Sequence, residues 1–268
     1  MLKDITFGQY YEGRSVIHRI DPRVKILLMI TFIVFVFVSS NMYSLVLSAL
    51  SVIAIIVISR VPFKMYLKNM KAILPILIFT AVINIFYGSG EPLVSFWIFK
   101  ITANGIYRSV FMALRIILLI FISSVLTYTT TPNDLTDAIE SLLSPLKYLG
   151  LKKGVHTLAM MMTIALRFIP TLVEEAEKIM NAQKARGADL ESGGLLQRVK
   201  ALIPVLIPLL SSSVRRAVEL AEAMECRCYN GGEGKTRMKQ MRLGINDLFA
   251  VLVISFVCIG IIIINIAV

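Results

Sequence analysis

The chain is poor in charge, cysteine and histidine, and each shortage closes off a class of protein. Charged residues fill 17% of its 268 positions and hydrophobic ones 57%, where soluble domains carry about 25% and about 45–50%. A chain this apolar cannot cover itself with polar surface in water, so most of it must face lipid. Three cysteines give no even disulfide framework. Cys226 and Cys228 stand close together, but the third, Cys258, falls in an apolar run, and neither His18 nor His156 has metal-motif spacing. With two histidines, no nucleophile–base set can be assembled. Metal binding and catalysis by this chain are therefore not expected. The net charge of +11 does not imply nucleic acid, because basic residues of membrane proteins collect in cytoplasmic loops.

Present instead are five runs fit to span a bilayer: Val24–Ser40, Tyr43–Ser59, Ala72–Gly88, Ser109–Thr127 and Leu248–Ala267. The shortest, 17 residues, reach about 26 Å as helix, the low edge of what the hydrocarbon core needs. Met1–Lys25 does not read as a signal peptide, since the apolar run after it is too long and no small-residue cleavage site follows. Lys and Arg set the orientation. Lys3, Arg14, Arg19, Arg23 and Lys25 precede the first run; Arg60, Lys64, Lys68 and Lys71 follow the second; Asn41–Met42 between them has none. Residues 128–246 hold 16 of the 28 basic residues, and nothing after Asp247 is charged. A cytoplasmic N-terminus satisfies the positive-inside rule at every crossing. The expected organisation is an all-α integral membrane protein. It comprises a four-span membrane domain (1–127), a cytoplasmic-side segment (128–246) and a closing span (247–268).

Within 128–246, Thr131-Pro132-Asn133-Asp134 reads as a helix start, with a short helix to about Ser144 stopped near Pro145. Two long helices are expected next, about Val155–Arg186 ended by Gly187 and about Leu195–Tyr229 ended by Asn230-Gly231-Gly232, with kinks at Pro170, Pro204 and Pro208. Both begin apolar and end amphipathic. A shift of 41 residues aligns Ala176 with Ala217, Ala182 with Ala223 and Arg186 with Arg227. Each long helix thus ends in an arginine between small residues, Ala185-Arg186-Gly187 and Cys226-Arg227-Cys228. Such an arginine either complements the helix dipole or, because small flanks do not obstruct it, enters a partner's groove and donates to carboxylates or helix-end carbonyls.

These residues carry a resemblance. Phe7-Gly8-Gln9-Tyr10 through His18-Arg19-Ile20-Asp21-Pro22-Arg23-Val24-Lys25, Ala165-Leu166-Arg167-Phe168-Ile169-Pro170-Thr171, and Ala182-Gln183-Lys184-Ala185-Arg186-Gly187-Ala188-Asp189 resemble the transmembrane T component of energy-coupling factor (ECF) transporters. The likeness is to the shared-module type, related to the CbiQ and BioN proteins. It implies a non-catalytic coupling scaffold that transmits the motion of two cytosolic ABC-type ATPases to interchangeable membrane-embedded substrate-binding S components, for uptake of vitamins or other micronutrients. ATP and Mg would be bound by the partner ATPases, and no cofactor by this chain. Arg186 and Arg227 would be the docking arginines, the second in a motif that departs from the commoner Ala-Arg-Gly by having cysteine on both sides.

Further residues keep two readings each. Met160-Met161-Met162 is either ordinary core or an adaptable contact surface. Arg167 would neutralise an acidic partner or meet lipid phosphates. Arg115, well inside the fourth run, would pair within the bundle or face the S component. Asn84 is expected to donate between helices rather than touch a substrate. Gly234-Lys235-Thr236 and Ser192-Gly193-Gly194 lack the spacings of a P-loop and an ABC signature. The rival class is a stand-alone secondary carrier or channel, which would show ionisable residues in several spans or two matching halves; neither is present.

Overall fold

The computed structural model describes residues 10–86, 92–96, 99–144, 152–189, 194–230 and 243–267. Lys3, Phe7–Gln9, Gly88, Pro145, Ser192–Gly193, Gly231–Gly232 and Gly234–Thr236, all invoked above, lie outside them. The chain forms helices α1 (Pro22–Val38), α2 (Met42–Ser59), α3 (Phe63–Phe86), α4 (Ala103–Thr129), α5 (Pro132–Leu142), α6 (Lys152–Ala185), α7 (Leu195–Cys226) and α8 (Ile245–Ala267). A short antiparallel hairpin, β1 (Pro92–Phe96) and β2 (Phe99–Thr102), precedes α4. Among the described residues, six helices are long and apolar enough to cross a membrane: α2, α3, α4, α6, α7 and α8. The five runs read from sequence differ from these in two ways. The first run forms α1, whose 17 residues leave it outside the six, and α6 and α7 qualify on the strength of their apolar halves, although their charged halves had placed them on the cytoplasmic side.

Two compact units emerge, residues 8–135 with 240–268, and residues 1–7 with 136–239. The first is a bundle of α1–α4 and α8. Its core gathers Phe32, Val36, Leu45, Val52, Ile56, Tyr66, Leu118, Ile122, Val125 and Tyr128. Tyr66 and Tyr128 meet edge to face at 5.2 Å; Tyr128 Oη donates to the Met65 carbonyl at 3.0 Å and Tyr66 Oη shares a hydrogen bond with Ser59 Oγ at 3.3 Å, so both rings are buried without an unpaired hydroxyl. Close approach of the helices comes from small residues. Ser44, Ser48 and Ser59 are buried on α2, and each hydroxyl donates back to a carbonyl of its own turn or the one before. At Gly105, a Cβ would come within 2.7 Å of the Ile85 carbonyl oxygen, which fixes glycine where α4 meets α3. Asn84 proves to donate within its own helix, to Thr80 O at 2.8 Å; besides the Tyr128–Met65 bond, α3 and α4 are joined by Ser109 Oγ donating to Ala81 O at 3.0 Å and Asn69 Nδ2 donating to Ser124 Oγ at 3.3 Å.

One rim of this bundle is tied by buried charge. Asp21 caps α1, accepting from Arg23 N–H at 2.9 Å with Pro22 at the first helical position. The Asp21 N–H donates to Asp247 Oδ1 at 2.7 Å, and Gly244 N–H donates to the other oxygen of that carboxylate at 2.6 Å, so one side chain fastens the start of α8 to the start of α1. Lys25 Nζ donates to Thr129 O at 2.9 Å and Thr130 Oγ1 at 3.3 Å, adding the end of α4. The chain before α1 folds back as well, its Tyr11 N–H donating to Tyr128 O at 2.9 Å.

The second unit is built from α6 and α7. Each exceeds 30 residues, 34 and 32, or roughly 50 Å at the usual rise, and they carry Pro170 and Pro204 with Pro208 inside. Ahead of them Thr131 caps α5, its Oγ1 accepting from Asp134 N–H at 3.2 Å, as the Thr-Pro-Asn-Asp string implied.

Candidate functional site

Both long helices stop in the same way. After α6, Gly187 N–H donates to Lys184 O and Ala188 N–H to Gln183 O, each at 3.0 Å. After α7, Cys228 N–H donates to Glu225 O at 2.8 Å and Tyr229 N–H to Met224 O at 3.1 Å. These paired back-bonds are the Schellman arrangement, which consumes carbonyls the helix would otherwise leave unsatisfied and needs a left-handed residue just past the cap. Gly187 supplies it at φ +86° and Cys228 at φ +55°. Glycine takes that conformation freely; a residue with a Cβ does so at a cost of roughly 1 kcal/mol. The arginines, Arg186 and Arg227, hold the cap position in both.

All six tip residues, Ala185, Arg186, Gly187, Cys226, Arg227 and Cys228, are exposed. Among the described residues neither guanidinium makes an ion pair or a side-chain hydrogen bond. Two fork-shaped cations therefore stand out from blunt, small-flanked helix ends, available for bidentate bonding to carboxylates or carbonyls.

The packing of α6 on α7 separates them. Glu175 Oε2 accepts from Arg216 Nη2 at 2.6 Å, and Ser212 Oγ donates to its other oxygen. Farther toward the start of α6, Met160 Sδ accepts from Tyr229 Oη at 3.5 Å. Advancing from Met160 to Glu175 on one helix thus retreats from Tyr229 to Arg216 on the other, which makes the pair antiparallel. Arg227 lies near the Met160 level while Arg186 is 26 residues beyond it, so the tips are at opposite ends of the pair, roughly 30–40 Å apart at the usual helical rise. A cavity of about 340 Å³ opens beside the crossing, lined by Thr171, Glu174, Glu175, Lys178, Ile179, Ala182 and Arg216.

The other sequence candidates disperse. Met160 is half-buried against Tyr229, whereas Met161 and Met162 are exposed. Arg167 is exposed on α6. Arg115 belongs to the bundle: its Nη2 donates to Ser39 O at the end of α1, and its guanidinium carbon lies 4.7 Å from the centre of the Phe111 ring. The Glu175–Ser212–Arg216 node was missed in the sequence. Its signal was present, since Glu175 and Arg216 are related by the same 41-residue shift that aligns the tips.

Among the described residues, six helices long and apolar enough to cross a membrane, and a crossed pair of long helices ending in exposed arginines, define a multi-pass membrane protein. Residues 13–239 match the family described as cobalt transport protein, CbiQ. The chain is 52% identical over 242 residues to the energy-coupling factor transporter transmembrane protein EcfT of Ruminiclostridium cellulolyticum, covering 90% of each chain. It is 49% identical to EcfT of Clostridium kluyveri over 97% of each. Against EcfT of Bacillus subtilis it is 44% identical, over 90% of this chain and 91% of the relative. The chain belongs to the family of energy-coupling factor transporter transmembrane proteins, EcfT. It is a multi-pass membrane protein with a role in transport.

Proposed function

We propose that this chain is the non-catalytic coupling scaffold of an ECF-type ABC transporter, joining two cytosolic ATPases to a membrane-embedded substrate-binding S component. Its N-terminus and helix tips face the cytoplasm. ATP and Mg belong to the ATPases, and this chain binds no cofactor of its own. Each ATPase receives one tip: Ala185-Arg186-Gly187 in one groove, Cys226-Arg227-Cys228 in the other. Closure of the ATPases on ATP pulls the two tips, and the crossed helices carry the displacement to the S component, which then releases a vitamin or another micronutrient inside. Met160, Met161, Met162 and Arg167 are the side chains of α6 assigned to the S component or to repacking around it; Arg115 is assigned to the bundle.

The observation that carries this reading is the duplicated termination. Two helices 41 residues out of register end in the same hydrogen-bond pattern, with an exposed arginine at the cap, at opposite ends of an antiparallel pair. A dipole-complementing arginine needs neither small flanks nor duplication; two separated sockets need both. The test is co-purification. Arg186→Glu combined with Arg227→Glu leaves the chain in the membrane and removes both ATPases from the complex, with each single substitution acting less severely. Normal recovery of ATPases with the double variant refutes the docking role.

A further inference from the structure

The bundle contains a slot that the coupling role does not use. It has a volume of about 390 Å³ and lies among α1, α2, α4 and α8, with Phe32, Ile55, Val125 and Val253 among its lining side chains. The helical lining clusters toward one rim, at positions 25–32 of α1, 51–58 of α2, 122–129 of α4 and 246–257 of α8, and residues 16, 17 and 20 of the segment before α1 close that end. The back wall is buried, with Phe32, Ile122 and Val125 each under 10% exposed, while Phe249 and Val253 on the outer side are each 60% exposed, so the slot opens sideways. Along α8 the lining runs from Asn246 to Val257, about 17 Å at the usual rise. One leaflet of hydrocarbon is about 15 Å deep, half of the ~30 Å core. The slot therefore begins at a rim and ends near mid-bilayer.

Its rim is mixed in charge: the carboxylates of Asp21, Asp134 and Asp247 act on Lys25 and offset it, so an anion would be met by the exposed Arg19 and Arg60. Lys25 lines the slot itself, buried and held by Thr129 and Thr130. Arg19 and Arg60, both exposed, follow lining residues Ile17 and Ile58 by two positions. An apolar cleft open to a bilayer fills with the solvent present there, which is hydrocarbon chain rather than water. Basic residues at the end of such a cleft attract anionic headgroups.

We propose that this slot is a lipid site, taking one acyl chain of an anionic phospholipid from the leaflet at the Arg19–Lys25–Arg60 rim, with the headgroup phosphate held by Arg19 and Arg60. The bound chain completes the packing of α8 against α1 and α2 and stabilises the bundle by binding the folded state alone.

The experiment adds phosphatidylglycerol or phosphatidylcholine in mixed micelles to the purified full-length chain and follows its Tm. Phosphatidylglycerol raises the Tm of the unaltered protein more than phosphatidylcholine does. Ala54→Phe and Ala250→Phe, which fill the slot, lose the rise, while Leu252→Phe, also on α8 but not in the lining, keeps it. Arg19→Gln with Arg60→Gln leaves the slot open and loses the preference for the anionic lipid, so the proposal stands testable if the filled variants fail to fold. An equal response to both lipids by the unaltered protein, or an undiminished rise in a folded slot-filled variant, overturns it.

Discussion

Glu175 and Arg216 meet at 2.6 Å where α6 crosses α7, and they stand 41 residues apart, the interval that also separates Arg186 from Arg227. The crossing thus occurs at the same distance, eleven residues, before each tip. Each tip therefore lies about 16 Å beyond the node along its own helix. Ser212 donates to the second carboxylate oxygen, so the node is bonded on both sides and holds the crossing in register.

A first prediction tests that node. Glu175→Arg sets two cations against each other, and the distance between spin labels placed on the two helices broadens and lengthens. Adding Arg216→Glu restores an opposite-charge pair and with it the narrow distribution. A distance distribution unchanged in Glu175→Arg shows that apolar packing alone sets the crossing.

The tips differ in what holds them closed. Gly187 adopts its left-handed φ without penalty, whereas Cys228 carries a Cβ there. Gly187→Ala loosens the first tip by about 1 kcal/mol, and Cys228→Gly tightens the second by about the same amount. Hydrogen exchange reads both directly: the Ala188 amide speeds up several-fold in the first variant, and the Tyr229 amide slows in the second. Movement of both in the same direction contradicts the shared termination.

Much of this was legible in the sequence, for reasons that vary by element. The apolar runs announce α2, α4 and α8 because lipid leaves no choice but a helix with its backbone satisfied internally. Thr131 and Gly187 mark helix ends through local chemistry that tertiary packing does not override. The second tip was named as Cys226-Arg227-Cys228, but the end of its helix was expected at about Tyr229 and lies at Cys226, because a left-handed cysteine has no propensity signal. The start of α3 at Phe63 was hidden as well. Lys64, Lys68 and Lys71 broke the apolar run and moved the apparent start to Ala72, although charges on the first turns of a helix end a hydrophobic segment without ending the helix. Partners set by distant packing, such as Asp21 with Asp247 across 226 residues, leave no mark in a single sequence.

Histidine 18 gives a pH prediction. His18 Nε2 donates to Tyr11 O at 3.0 Å, which leaves Nδ1 to accept from Ser15 Oγ at 2.7 Å. Burial holds its pKa below the ordinary 6.5, the charge of Lys25 acts in the same direction, and the bond to the Tyr11 carbonyl opposes both. The folded state therefore binds this proton less readily than the unfolded chain does. Its contribution to stability is fully present above pH 6.5 and is lost as the pH falls through the lower folded value. The Tm of the purified chain drops on acidification below that point, and His18→Gln flattens the drop. Gly13→Ala disturbs the same hook, because a Cβ there would lie 2.8 Å from His18 Cε1.

At the opposite end of α1, two side chains from other helices satisfy its last carbonyls. Arg115 donates to Ser39 O, and Asn265 Nδ2 donates to Val38 O at 2.9 Å while its Oδ1 accepts from the Ser40 N–H at 3.3 Å. Ser39 is fully buried, so removing the guanidinium strands a carbonyl at about 1–3 kcal/mol. Arg115→Met lowers the thermal stability of the bundle by that order, and Asn265→Leu by somewhat less, since its site is exposed. Because both hold one turn, the double variant costs less than the sum of the singles. Additive losses show that each residue acts on a separate element. A complex that keeps its stability but loses transport in Arg115→Met moves that arginine from the bundle's own bonding to contact with a partner.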